Sequence, residues 1–66
     1  MTNYKAIAIE LDGTEMIYSG FTSFTEAVNF AKAHVIRGNG LSVRLTWREG
    51  DDDEHSITYH KPERLL

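Results

Sequence analysis

The 66-residue chain contains no cysteine, so neither a disulfide framework nor a thiolate zinc site can reinforce a core of this size. Packing must hold the fold, which requires each element to bury one apolar face. Hydrophobic residues make up 41% and charged residues 26% of the sequence, the balance of a folded domain and not of a disordered tail. No second core can form in so short a chain, so a single domain over 1–66 is expected. No apolar run approaches the ~20 residues of a membrane span, and the opening Met1-Thr2-Asn3-Tyr4-Lys5 lacks a signal peptide's apolar stretch. A cytoplasmic protein is the expectation. Seven Lys and Arg against ten Asp and Glu leave a formal charge of -3, which argues against direct binding to nucleic acid or to an anionic membrane.

There is no repeat and no linker. From Tyr4 to Leu11, Ile7, Ile9 and Leu11 fall on alternate positions, the period of a strand with one buried face. Asp12-Gly13 then reads as a two-residue hairpin turn, leading to a second strand from about Thr14 to Gly20. That turn would set Leu11 opposite Thr14, Ile9 opposite Met16 and Ile7 opposite Tyr18 on the core face. Ala6, Ala8, Glu10, Glu15 and Ile17 would lie on the other side. Ser23-Phe24-Thr25-Glu26 fits a capping box that opens a helix. Phe24, Ala27, Val28, Ala31 and Val35 form its apolar stripe, and Gly38-Asn39-Gly40 ends it with residues that tolerate a left-handed conformation. Leu41, Val43, Leu45 and Trp47 alternate with Ser42, Arg44, Thr46 and Arg48 in a third strand. A fourth, about His55 to His60, sets His55, Ile57 and Tyr59 against Ser56, Thr58 and His60 before Pro62 discourages further pairing. The fold class is α+β: a ββαββ order with one helix packed on one face of a four-stranded, mainly antiparallel sheet. An order 2-1-3-4 satisfies the chain directions, and it sends the two hairpin turns to opposite ends of the sheet, roughly 20 Å apart.

The most unusual segment is Arg48-Glu49-Gly50-Asp51-Asp52-Asp53-Glu54-His55. Such a run is either a solvated hairpin loop that keeps the protein soluble or a recognition surface, because clustered carboxylates can occupy a basic groove made for phosphates. A calcium loop needs acidic ligands at alternate positions and a glycine at its sixth. Here the acids are consecutive and Gly50 precedes them, so no metal site is expected. Glu10, Asp12 and Glu15 form a smaller acidic pole at the first turn, with Glu10 and Glu15 facing each other across the hairpin. Arg44 and Arg48, with His60 nearby, lie on a polar sheet face without the exposed aromatics of a base-stacking platform. Catalytic motifs are absent: no nucleophile elbow, phosphate loop or zinc-binding helix is present, and His34, His55 and His60 have no partner at a telling spacing. No enzyme, catalytic residue or cofactor is expected. Tyr4, Phe21, Phe30 and Ile36 are left over from the expected core. Were Phe21, Tyr4 and Ile17 exposed together, a partner contact would follow, and the outer face around Ala6, Ala8 and Ile17 would suit a structural homodimer.

The stretch from Tyr4-Lys5-Ala6-Ile7 through Asp12-Gly13 to Phe24-Thr25-Glu26-Ala27 is similar to the opening of HicB-type antitoxins, although Ser19-Gly20-Phe21-Thr22 stands where that family has a proline-containing segment. That resemblance implies neutralisation of a small basic toxin. Over its full length the chain resembles the small, acidic, cysteine-free anti-CRISPR proteins that phages encode, in size, ββαββ layout and acidic loops. What this implies is a DNA mimic: Glu49, Asp51, Asp52, Asp53 and Glu54, with Glu10, Asp12 and Glu15 as a secondary pole, dock on a basic nucleic-acid-binding protein, a CRISPR-Cas effector complex. The inhibitor would block target DNA binding in the bacterial host cytoplasm, as a monomer or weak homodimer.

Overall fold

The computed structural model describes residues 3–51 and 53–62. Strands β1 (Asn3–Glu10) and β2 (Glu15–Phe21) precede helix α1 (Phe24–Ile36), and strands β3 (Gly40–Arg48) and β4 (His55–His60) follow it. All neighbouring strands are antiparallel, in the order β2-β1-β3-β4. The expected α+β architecture is present, and the strand order is the one that satisfies the chain directions.

The first hairpin departs from its expected register by one residue. Gly13 N donates to Glu10 O at 2.9 Å and Glu10 N to Thr14 O at 2.7 Å, closing a three-residue loop, Leu11-Asp12-Gly13, with Gly13 at φ +91°. Three-residue loops end on a left-handed residue, which glycine supplies. Ala8 therefore pairs with Met16, Ala6 with Tyr18 and Ile9 with Glu15. A slip of one exchanges the faces of a strand. Ala6 and Ala8, not Ile7 and Ile9, are the fully buried residues of β1, while Leu11 lies in the loop with about half its surface exposed. Glu10 and Glu15 do not face each other, because Glu10 belongs to the helix side and Glu15 to the outer side.

Two bulges adjust the parity further. Tyr4 pairs with Phe21 and Lys5 with Ser19, leaving Gly20 as the extra residue at φ +91°. A glycine in this conformation is what such a bulge requires, and it swings Phe21 onto the helix side, 5.2 Å from the Phe30 ring. Glu10 pairs with Gly40 and Ile9 with Ser42, so Leu41 is the extra residue of the second bulge and is 48% exposed, outside the core it was expected to join. Val43 and Leu45 are fully buried, as their alternation predicts.

Ser23 caps α1, its hydroxyl accepting from Glu26 N at 3.1 Å. The other half of the capping box is replaced, since the Glu26 carboxylate accepts from the Thr22 hydroxyl at 2.8 Å. At the far end Arg37 N and Gly38 N donate to Ala33 O at 2.8 and 3.1 Å, and neither Gly38 nor Gly40 has a positive φ. The left-handed exit expected there is not used. The helix instead seats Ala27, Ala31 and Val35 on Ala6, Ala8, Val43 and Leu45. Small side chains on both surfaces let backbones approach, and aromatics close the margins. Tyr4, Phe24 and Trp47 cluster at one side, with ring centroids 5.2–6.1 Å apart. Tyr18, Phe21 and Phe30 do so at the other. Tyr4, Phe21 and Phe30 thus complete the core, and of the trio expected to share an exposed patch only Ile17 is exposed.

Candidate functional site

The register sets the two hairpin ends apart: Glu10 pairs with Gly40 at one end of the β1-β3 ladder and Asn3 with Arg48 at the other. At the Asn3 end, β3 and β4 last pair at Trp47 and His55, whose rings stack with centroids 5.7 Å apart. Beyond this aromatic base the chain leaves the sheet, and Gly50 turns it at φ +60°. Glu49, Asp51, Asp53 and Glu54 are all exposed there, and among the described residues none of them is paired with a cation. Asp52 lies outside the described residues. Like charges so close together repel and hold the tip open to water. The described carboxylates form an exposed anionic cluster beyond the Trp47–His55 pair.

The expected secondary pole is organised differently. Glu10 is turned inward: its side chain is only 12% exposed, and His34 Nε2 donates to its two carboxylate oxygens at 2.9 and 3.0 Å. The His34 ring stacks on Phe30 at 5.4 Å and meets the edge of Tyr18 at 5.7 Å. Close backbone approach fixes it from the other side, since a Cβ at Gly40 would come within 2.5 Å of His34 Cδ2 and one at Gly38 within 3.1 Å of Nδ1. Leu11 N donates to Asn39 O at 2.8 Å, and Lys61 Nζ to Val35 O at 3.2 Å. The lysine meets a carbonyl of the last helical turn, where cations are favoured. The first turn, the helix end and the start of β3 are thereby joined.

Asp12 remains on the surface of that turn, where its carboxylate accepts from Thr14 N at 2.9 Å. This backbone hydrogen bond, with that of the Thr14 side chain, holds the Asp12 carboxyl below its ordinary value of 3.8. Glu15 points to the outer face. A groove bounded by Glu10, Asp12, Met16, Tyr18, His34 and Asn39 lies beside the turn, with a volume of about 460 Å³. Its one carboxylate-imidazole pair is engaged in a mutual contact. Among the described residues no three His, Cys, Asp or Glu side chains converge as metal ligands would, and no helix is long and apolar enough to cross a membrane.

Arg44 pairs with Thr58 and Ser42 with His60 on the outer face, confirming that Arg44 and His60 share that side. Trp47, Tyr59 and Tyr18 are packed against the core. The aromatics that could stack on bases are thus withdrawn from the cationic face.

Sequence reasoning missed the Glu10–His34 contact. Gly38 and Gly40, at the entry to β3, read as helix terminators but make room for the imidazole. No protein-family model, curated protein or solved structure matched this chain in comparison.

Proposed function

We propose that this chain is a non-enzymatic inhibitory protein whose acidic β3–β4 tip enters the cationic groove of a nucleic-acid-binding protein and keeps target DNA out. The effector complex of a bacterial CRISPR system is the partner suggested by the chain's resemblance, in size, ββαββ layout and acidic loops, to phage anti-CRISPR proteins. The observation that carries this reading is the clustering of exposed Glu49, Asp51, Asp53 and Glu54 on one hairpin end, none of them in a salt bridge with a cation among the described residues. A groove that binds phosphates gains affinity by releasing counterions, and carboxylates presented together compete for the same cationic side chains. The stacked Trp47–His55 pair ties the two strands together at the foot of the tip, so the ordering cost of binding falls on the tip residues alone. Glu10 makes no part of this surface, and Asp12 and Glu15 stand at the opposite end of the hairpin ladder. The tip is therefore the primary contact.

The test is competition between the chain and target DNA for a purified CRISPR effector complex, read by fluorescence anisotropy of labelled DNA. The wild type is expected to displace DNA, less effectively as salt rises. Triple reversal, Asp51→Lys with Asp53→Lys and Glu54→Lys, is expected to weaken displacement by about tenfold or more, equivalent to ~1.4 kcal/mol. Undiminished displacement by the triple variant would refute the role of the tip.

A further inference from the structure

The helix covers one face of the sheet, and among the described residues nothing covers the other. The covered side is meagre. Its fully enclosed residues are four alanines with Val43 and Leu45, and Val35 is nearly so. Chains of this size without disulfides or metals commonly complete their burial by association. The open face carries the larger aliphatic groups: Ile7 pairs with Ile17, and Ile9 stands one step along β1 beside Glu15. Ile7 and Ile9 are only half-buried and Ile17 is 60% exposed.

From these observations we infer that the outer sheet face is an interface with a second copy of this chain, the two sheets packing face to face about a two-fold axis along β1. The charges favour this occupant. Glu15 lies on β2 at the level of Ile9, and Arg44 lies on β3 at the level of Ile7, so they flank β1 on opposite sides. A two-fold rotation along β1 exchanges those sides. It brings each copy's Glu15 beside the other's Arg44, one two-residue step of about 6.8 Å away along the strand across a sheet spacing of about 10 Å. Long arginine and glutamate side chains span that gap. Ile7 and Ile9 then meet their own counterparts at the centre, over a depression of about 140 Å³ that they line together with Glu15 and Arg44. Lys5 stands on β1 two residues before Ile7 and faces its own counterpart, so the two exposed ammonium groups must turn away from each other into water.

About this axis β2, β1 and β3 overlap the other copy's β3, β1 and β2, and β4 lies outside the contact. Three strands of seven to nine residues offer about 400 Å² in projection on each copy, the size of a weak, transient interface. A nucleic acid is disfavoured here, because the face has isoleucines where a single-stranded ligand needs exposed rings. The inference does not rest on the acidic tip, and failure of DNA competition would leave it standing.

Sedimentation velocity of the full chain from ~1 μM to ~1 mM tests it. The wild type is expected to pass from monomer to dimer across this range. Ile17→Lys, at a site exposed in the isolated chain, is expected to keep the circular-dichroism spectrum and raise the dissociation constant at least about tenfold. Glu15→Arg is expected to weaken dimerisation similarly, and Glu15→Arg with Arg44→Glu to restore it. A wild type that remains monomeric throughout overturns the inference, as does a dimer indifferent to Ile17→Lys. A double charge swap that fails to restore association overturns the two-fold arrangement.

Discussion

His34 depends on the absence of a side chain at Gly40. An added Cβ would stand 2.5 Å from Cδ2 and 3.1 Å from the His34 carbonyl oxygen, so Gly40→Ala must displace the ring and break its hydrogen bond to the largely enclosed Glu10 carboxylate. Such a loss costs about 1–3 kcal/mol. Urea unfolding should therefore show Gly40→Ala destabilised by that amount, and by less than half as much in a His34→Ala background, where no ring remains to be displaced. Equal costs in both backgrounds would show that the glycine serves the backbone alone. Neither partner of the contact was legible from its sequence neighbours. Glu10 sits beside a turn and reads as solvated, and His34 is 24 positions away, a separation that only the folded hairpin and helix close.

The parity of β1 was hidden because Ala6, Ile7, Ala8 and Ile9 are all apolar, so alternation identifies a strand without saying which set is buried. The turn decides the matter. Asp-Gly fits both a two-residue turn and the end of a three-residue loop, and these put opposite sets inside. In β3 the sets differ sharply in polarity, so its core face was legible from sequence. The helix start was legible too, through Ser23. Asp12 adds a pH dependence to the chosen turn. Its folded carboxyl titrates below 3.8 because Thr14 N donates to its charged form. The stabilisation is therefore present above 3.8 and lost as pH falls through the lower folded value. The melting-temperature gap between wild type and Asp12→Ala should be full near neutrality and close as pH is lowered beyond that point; a gap that widens in acid would contradict this assignment.

For the molecule as a whole, the ββαββ order and the acidic tip followed from pattern, whereas the open isoleucine face emerged only with the corrected register. An association that buries this face also couples folding to concentration. Wild-type melting temperature should rise by about a few degrees per tenfold increase in concentration above the dissociation constant, while Ile17→Lys melts at a constant temperature; concentration-independent wild-type melting would count against the paired state. The placement of the two hairpin ends has a practical corollary. A dye or a sensor-chip tether attached through the Leu11–Gly13 loop would sit a full strand length away from the carboxylates, leaving them pointed at the bulk solution and free to meet an analyte.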